Sequence, residues 1–381
     1  MLAGRPHILF TATFHSSFID EDIQILRKNY DVTVVIASGW TAPLHLLRNL
    51  FAADVTYSWF ASLYSSFLVF AARLFGKKSI IVLGGADVGE AFSRLPFDHL
   101  LYTGSTHVGR QVMRAAAENL TPVTLELGGK SPTIVHAEYP VEKAAARIAW
   151  GKWTNAGQTC IAPDYVLVHE SRAPALMDAL RSSAERYYPT LARNPDYTAI
   201  VNDRHYERIT RLVDDAVGRG ARKVEINPAS ELLEPSARKI PPTLLTNVTD
   251  EMRVMQEEIF GPVLPVVPYT SLDDAIEYVN QRPRPLALYY FDDDSRRVED
   301  VLERTVSGGA CVNETMVHFG VDDVPFGGVG PSGMGAYHGR EGFETFSHKK
   351  SVLYQAKWNA TALLTPPYGE RARKLVGFLL R

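Results

Sequence analysis

The sequence predicts an α/β protein built from two parallel-sheet domains, and three observations support this fold class. Short β-rich runs alternate with helical patterns along almost the whole chain, which is typical of parallel sheets covered by helices. A length of 381 residues is enough for two or three domains with large cores. Hydrophobic residues make up 46% and charged residues 22%, as in ordinary globular proteins.

The first predicted domain covers residues 1–128. Short β-rich runs predict strands at 7–14, 31–37, 54–58, 79–83, 99–103 and 123–127. Helical patterns predict helices at 20–30, 60–74 and from about 106 to 119. We expect one doubly wound sheet in which the strand at 79–83 pairs with the strand at 99–103, because an open parallel edge there would promote aggregation.

The second predicted domain covers residues 129–345 and repeats the alternation. Strands are predicted at 133–135, 164–169, 262–269, 287–291 and 309–313, and helices at 141–153, 173–187, 203–218, 272–280 and 295–306. A C-terminal segment, residues 346–381, contains one further strand-like run at 351–355.

Composition excludes several classes of partner. A formal net charge of −3 gives no electrostatic basis for binding nucleic acid or a membrane surface. The two cysteines lie far apart and no His/Cys cluster has metal-ligand spacing, so we expect a reducing compartment and no metal. Arg5, Pro6 and His7 interrupt the N-terminus before any apolar run, and the apolar segment 59–75 is short and contains Arg73. The expected location is the cytoplasm.

Cys160 is the first candidate catalytic residue. It lies in the run AWGKWTNAGQTCIAP at 149–163, where a predicted helix gives way to a Gly-Gln-Thr turn before an apolar strand. A thiol at such a junction can face substrate, and nearby backbone N–H groups can stabilise its thiolate. The alternative is an inert buried thiol, since most cysteines are small apolar residues.

Three further motifs accompany this cysteine: LELGGKSP at 125–132, QEEIFGPV at 256–263 and PFGGV at 325–329. Together, in this order, they resemble the NAD(P)-dependent aldehyde dehydrogenase superfamily, and the C-terminal part is similar to its coniferyl-aldehyde and class-3-like members. The resemblance extends from about Gly84 to the C-terminus.

The resemblance implies the oxidation of a small-molecule aldehyde to a carboxylic acid with NAD or NADP. Cys160 matches the family's nucleophile, which forms a thiohemiacetal and then a thioester, and Glu126 matches the general base that activates water. Four further residues match cofactor contacts: Gly104 and Ser105 with the pyrophosphate, Glu258 with the nicotinamide ribose, and Phe260 beside the nicotinamide. A glycine-containing turn that opens a helix is also a physically suitable site for a pyrophosphate. The strand at 351–355 corresponds to one that helps form the family's dimer, so a homodimer is expected.

Residues 1–88 depart from this pattern. They resemble the N-terminal half-domain of GT-B-type glycosyltransferases, which predicts a fusion at about 84–88; a divergent dehydrogenase N-terminus is the alternative. The family's oxyanion asparagine and adenosine-ribose lysine have no match here, because the candidates before Gly84 are Asn29, Asn49, Lys28, Lys77 and Lys78, none in a matching context. We therefore expect an impaired dehydrogenase, with an inactive fusion or a glycosyltransferase-related protein as alternatives.

Overall fold

The computed structural model describes residues 5–12, 23–24, 26–37, 41–59, 63–84, 93–359, 365–366 and 368–380. Two compact units divide the chain at residue 347, Met1–Phe346 and Ser347–Arg381. Within the first unit, the described residues form two seven-stranded sheets.

The first sheet has the order β14-β6-β5-β4-β3-β1-β2. Its strands are β1 (His7–Ala12), β2 (Asp31–Ile36), β3 (Val55–Trp59), β4 (Lys78–Gly84), β5 (Leu100–Gly104), β6 (Val123–Leu127) and β14 (Gly333–Met334). The helices that accompany it are α1 (Ala42–Leu50), α2 (Leu63–Leu74) and α3 (Thr106–Ala117). The pairings from β1 to β6 are parallel, whereas β14 joins β6 in antiparallel orientation.

Strand β1 shows why this sheet is parallel and buried. Leu9 and Phe10 point to opposite faces, and both are fully buried. Leu9 packs with Leu46 and Leu50 of α1, while the ring of Phe10 stacks on Tyr57 at 5.2 Å between centroids. The strand therefore joins a helix layer on one face to a second apolar cluster on the other.

The predicted continuity of this sheet is confirmed, because β4 pairs with β5 at Val82↔Leu101. Helical residues at 23–24 and 26–29 fall inside the predicted helix at 20–30. Helix α1 was not predicted, although a proline in its first turn and its spaced leucines are typical of an amphipathic helix. Of the predicted fusion point at 84–88, Gly84 ends β4, and residues 85–88 lie outside the described residues.

The second sheet has the order β13-β12-β7-β8-β11-β10-β9. Its strands are β7 (Pro132–Val135), β8 (Tyr165–His169), β9 (Arg222–Glu225), β10 (Thr243–Thr246), β11 (Val263–Tyr269), β12 (Ala287–Phe291) and β13 (Gly309–Val312). Its helices are α4 (Val141–Trp153), α5 (Ala173–Tyr187), α6 (Asp203–Gly218), α7 (Arg253–Gln256), α8 (Leu272–Asn280) and α9 (Ser295–Arg304), followed by α10 (Gly339–Thr345).

One apolar cluster joins α4 and α5 to this sheet, and a second one joins it to α6 and α8. Strands β9 and β10 were not predicted. The edge strand β9 is antiparallel to β10 and reads Arg-Lys-Val-Glu, a charged sequence that carries little strand signal but suits an exposed edge.

A glycine-rich loop at 325–335 carries the chain from the second sheet back to the first. Gly333 pairs with Glu126, and the Leu127 N–H donates to Ser332 O at 2.9 Å. A Cβ on Gly333 would lie 1.9 Å from Leu125 O, so no larger residue fits. The loop thereby fixes the position of the strand that bears Glu126.

The second unit contains α11 (Glu370–Leu379). The strand predicted at 351–355 is absent from this single chain, where residues 351–356 have no regular secondary structure. Leu353 and Tyr354 are each 89% exposed. The predicted domain bounds stay a prediction.

Candidate active site

The turn before Cys160 is built from left-handed backbone. Asn155, Ala156 and Gly157 have φ values of 51°, 52° and 72°, which stop α4 abruptly. A Cβ on Gly157 would lie 2.3 Å from Gly261 O, so glycine allows the two motifs to touch. The side chain of Gln158 donates to Ala199 O at 3.1 Å and accepts from the Val201 N–H at 2.9 Å. The loop that presents Cys160 is therefore held in one conformation.

The sulfur of Cys160 is less exposed than its turn suggested, since the residue is partly buried against the core of the second sheet. Burial raises the pKa of its thiol to about 12, and the negative charges of Glu258 and Glu126 contribute. The N–H groups of Cys160 and Ile161 lie close to the sulfur and oppose this shift, as predicted, but they do not outweigh burial. The thiol is therefore protonated at neutral pH in this state.

Glu126 lies on β6, where it pairs with Gly333 of the antiparallel strand β14. Its side chain is 5% exposed, and both carboxyl oxygens lack a hydrogen-bond partner among the described residues. Burial raises the pKa of Glu126 to about 8, and the nearby Gly328 N–H offsets only part of that shift. A buried carboxyl without a partner is costly to stability and is typical of a site that meets a ligand or water.

Glu258 approaches the same thiol from the loop after α7. A Cβ on Gly128 would lie 2.0 Å from a carboxyl oxygen of Glu258, which explains the glycine at 128. Burial and the charge of Asp164 raise the pKa of Glu258 to about 8, while the Gly129 N–H, Lys130 and Arg208 lower it. Both predicted carboxyls thus converge on Cys160.

Buried charged residues hold the backbone that carries Glu258. Lys130 pairs with Asp164 and donates to Val254 O at 2.8 Å and to Glu257 O at 3.1 Å. Asp164 accepts from the Ile259 N–H at 3.0 Å.

Arg208 donates to Glu258 O at 3.0 Å. The backbone of Phe260, two residues further on, has a φ of 48°, a left-handed conformation that is unusual for an aromatic residue. Asp164 and Arg208 were not predicted as positioning residues, since neither lies in a recognisable motif.

The predicted pyrophosphate turn is solvent-facing and fits an anion. Gly104 has a φ of 156°, and a Cβ there would lie 2.2 Å from the hydroxyl of Tyr102. Ser105 caps α3 by accepting from the Val108 N–H at 3.3 Å. The first N–H groups of this twelve-residue helix are free of intrahelical partners, which suits a phosphate.

Lys152 was not predicted and is the least expected side chain near the site. It is completely buried on α4, and its ammonium has no hydrogen-bond partner among the described residues. Burial lowers its pKa to about 8, and Asp164 and Glu258 act in the opposite direction. The separation of Lys152 from Cys160 in the sequence matches no general motif. Only the folded structure therefore shows that Lys152 is buried near the site.

The second cysteine has a structural setting. Cys311 is 8% exposed within β13, and its sulfur lies 3.0 Å from Nδ1 of His318. No group of three or more His, Cys, Asp or Glu side chains that could hold a metal occurs among the described residues. Across those same residues, no helix is long and apolar enough to cross a membrane.

Comparison with known proteins agrees with this geometry. The model of the aldehyde dehydrogenase family matches residues 72–352. The chain belongs to the aldehyde dehydrogenase family. It is 56% identical over 306 residues to a probable coniferyl aldehyde dehydrogenase of Pseudomonas aeruginosa, covering 80% of this chain and 63% of that protein. It is 50% identical over 354 residues to another from Caulobacter vibrioides, covering 90% and 73%.

Solved structures of the family have the same fold. Substrate-bound AldH of Staphylococcus aureus superposes with a TM-score of 0.72 at 35% identity, covering 98% of this chain and 77% of that one. The NAD⁺ complex of an aldehyde dehydrogenase from Bacillus cereus gives 0.68 at 25% identity, covering 91% and 68%. The chain thus spans about two thirds of the length of these family members.

The predicted glycosyltransferase-like N-terminus and fusion receive no support. The alignment with the Caulobacter relative covers 90% of this chain, and the superposition on the Staphylococcus structure covers 98%. A divergent dehydrogenase N-terminus, the alternative considered above, agrees with this coverage.

Proposed function

We propose that this chain is an NAD(P)-dependent aldehyde dehydrogenase that oxidises an aromatic aldehyde, of the coniferyl aldehyde class, to its acid. The observation that carries the proposal is the convergence of two carboxyls, Glu126 and Glu258, on the partly buried thiol of Cys160. The names of the two bacterial relatives support the substrate class. The NAD⁺ complex of the Bacillus cereus homologue supports the cofactor.

In this proposal the Cys160 thiol releases its proton to solvent water, and the thiolate attacks the aldehyde carbon. The backbone N–H of Cys160 stands beside the oxyanion that develops. Bound NAD(P)⁺ supplies the hydride acceptor. Glu126 then takes a proton from the water that hydrolyses the thioester. Because the pKa of Glu126 is raised to about 8, turnover should rise with pH through that value.

The residues present also fit the cofactor. The turn at Gly104 and Ser105 would hold the pyrophosphate, and the Glu258 carboxyl would accept from the nicotinamide ribose. The buried network of Lys130, Asp164 and Arg208 keeps the backbone of Glu258 and Phe260 in place.

NAD(P)H formation at 340 nm with coniferyl aldehyde tests the proposal. Cys160→Ala should abolish it, whereas Cys311→Ala, a matched control in strand β13, should retain it. Equal activity of the two variants would contradict the assignment of Cys160.

We also propose that turnover is weak. No asparagine or lysine before Gly84 matches the family's oxyanion and adenosine-ribose residues, and Lys78 is paired with Asp98 at 2.9 Å. A lost oxyanion donor costs about 10²–10³ in turnover. A lost charge-assisted hydrogen bond costs about tenfold to a hundredfold in cofactor affinity. The combined loss is on the order of 10³–10⁵ if the two sites act independently. Turnover and cofactor affinity typical of the longer relatives would refute the proposed weakness of turnover.

A homodimer is the proposed assembly. The apolar side chains of Val352, Leu353 and Tyr354 are 57%, 89% and 89% exposed, which supports pairing of this segment with a second copy. Sedimentation velocity should give a dimer, and Leu353→Asp with Tyr354→Asp should give a monomer. A monomeric parent chain would refute the proposal.

A further inference from the structure

Large apolar side chains are exposed on α1 and α2, the two helices that pack on one side of the first sheet. Three phenylalanines and two leucines there are between 47% and 70% exposed: Leu44, Phe51, Phe70, Leu74 and Phe75. Leu44 belongs to α1, and Phe70 and Leu74 belong to α2. Phe51 and Phe75 directly follow the last residues of these two helices. We call the surface formed by these five residues the apolar face.

The side chains of the apolar face are neighbours rather than scattered residues. One buried cluster contains residues of both helices, which places the helices side by side: Leu46, Leu50, Leu68 and Ala72. The rings of Phe51 and Phe75 contact each other, with centroids 4.8 Å apart. Phe70 and Leu74 are four residues apart and therefore lie on the same side of α2. A continuous exposed apolar surface of this kind marks an interaction site.

The charges beside the apolar face are basic. Arg48 and Arg73 lie on the exposed sides of α1 and α2, and Lys77 and Lys78 follow shortly after α2. Within residues 42–84 the sequence has these four basic residues and one acidic residue, Asp54. The net charge of −3 is a sum over the whole chain and conceals this local excess of positive charge.

Two of these cations have identified contacts. Lys78 pairs with Asp98 at 2.9 Å, which compensates its charge. The guanidinium of Arg73 donates to the carbonyl oxygen of Pro96, a neutral acceptor, so this contact leaves its charge in place. We therefore assign the positive charge of the surface to Arg48, Arg73 and Lys77.

The last turn of α2 and the predicted cofactor turn lie at opposite edges of the sheet. Helix α2 connects the parallel strands β3 and β4, so Leu74 and Phe75 lie at the edge where the strands begin. Gly104 ends β5 and therefore lies at the edge where the strands end. A partner bound at Phe75 leaves the turn at Gly104 uncovered.

We propose that the apolar face binds the protein to the surface of an anionic lipid bilayer. A helix that lies in a membrane surface carries large apolar side chains on one side and arginine or lysine beside them, as α1 and α2 do. The phenylalanines and leucines insert between the lipids, while Arg48, Arg73 and Lys77 contact the anionic headgroups. Helices of 9 and 12 residues are too short to span a bilayer, so they lie on it.

A second copy of the chain suits this surface less well. A two-fold contact places the same surface of both copies together. Arg48 and Arg73 of one copy would then face the same cations of the other, and like charges brought together at an interface oppose association. An anionic bilayer compensates these charges instead. The proposal is independent of the dehydrogenase function, because no residue of the apolar face belongs to the candidate active site.

Cosedimentation of the full chain with lipid vesicles tests the proposal. Vesicles of equimolar phosphatidylserine and phosphatidylcholine should bind the protein, and added salt should weaken the binding. Vesicles of phosphatidylcholine alone should bind about tenfold to a hundredfold more weakly, since each basic side chain near an anionic surface strengthens binding about fivefold.

Two variants test the apolar face and its charge. Phe70→Ser with Leu74→Ser should weaken binding to the anionic vesicles about tenfold to a hundredfold, because two side chains no longer leave water. Arg48→Glu should weaken it about tenfold, because attraction is replaced by repulsion. Both changes are on the surface, so the midpoint of urea denaturation should stay unchanged.

Matched controls make the same chemical changes in the second predicted domain. Leu232→Ser with Leu302→Ser removes two exposed leucines, and Arg296→Glu reverses an exposed charge on α9. Neither control should alter vesicle binding. Unchanged binding in the controls would show that the position of the residues, rather than net charge or total apolar surface, is responsible.

Three results would overturn the proposal: binding to neither kind of vesicle, equal binding to both kinds, or equal losses in the variants and their controls. Sedimentation velocity identifies the competing occupant. If Phe70→Ser with Leu74→Ser dissociates an assembly that the leucine control leaves intact, a second copy occupies the apolar face and the bilayer proposal is wrong.

Discussion

The two carboxyls that face Cys160 come from different parts of the fold and are held in different ways. Three charged side chains hold the backbone around Glu258. Lys130 pairs with Asp164, which also accepts from the Ile259 N–H, and Arg208 donates to Glu258 O. Glu126 is fixed through its strand by the pairing with Gly333, but its carboxyl oxygens make no hydrogen bond among the described residues, and only the Gly328 N–H lies near them. The structure therefore positions both groups, and burial raises the pKa of both to about 8, although only Glu258 has cations nearby.

The largest expected effect is catalytic and distinguishes the two carboxyls. Glu126→Gln should lower steady-state turnover by about 10²–10⁴, because a neutral amide cannot activate the hydrolytic water. A burst of NAD(P)H should remain, since thioester formation does not need Glu126. Glu258→Gln should act mainly on cofactor affinity. If Glu258→Gln gives the burst and Glu126→Gln does not, their roles are exchanged.

The next prediction concerns the stability contributed by the ion pair of Lys130 and Asp164, which holds the backbone near Glu258. Asp164→Asn leaves the buried ammonium of Lys130 without its counter-charge and should cost about 3–5 kcal/mol in the free energy of unfolding. Urea denaturation measures it. Asp98→Asn, which breaks the exposed pair with Lys78, is the matched control and should cost about 0–1 kcal/mol. Similar losses in both variants would mean that burial of the Lys130 pair is unimportant.

The pH dependence of stability should reveal the uncompensated charge of Glu126. The pKa of its carboxyl rises from an ordinary value of 4.5 to about 8 on folding, so the folded protein retains a proton that the unfolded chain has lost. Relative to Glu126→Gln, the parent chain should therefore lose about 3–5 kcal/mol of stability between pH 4.5 and pH 8. A difference that is constant over this range would place the pKa of Glu126 near its ordinary value.

The smallest expected effect is on thiol labelling. Mass spectrometry after brief iodoacetamide treatment should find Cys160 modified before Cys311, because Cys311 is 8% exposed within a strand. Labelling of Cys160 should quicken about a hundredfold as pH rises from 7 to 9, because a thiol with a pKa of about 12 gains about tenfold in thiolate per pH unit. It should quicken further in Glu258→Gln, since Glu258 is the stronger of the two charges that raise the pKa of Cys160. Faster labelling of Cys311 would contradict the assignment of Cys160.

The sequence alone determined the parts of the protein that depend on local pattern. Helix α4 and strand β6 fall at the predicted bounds, because their apolar spacing and turn residues are local properties. Cys160, Glu126 and Glu258 were recognised because each lies in a short motif of consecutive residues. The structure brings their side chains together. Whether they act as assigned stays a prediction.

Tertiary structure alone decided the electrostatics and the long-range pairing. Strand β9 is too charged and β14, at two residues, too short to show a strand pattern, and both exist because a neighbouring strand offers hydrogen bonds. Burial of Lys152 and the raised pKa of Cys160 follow from contacts between residues distant in sequence. Desolvation depends on the surroundings of a group in three dimensions, which no local sequence pattern specifies.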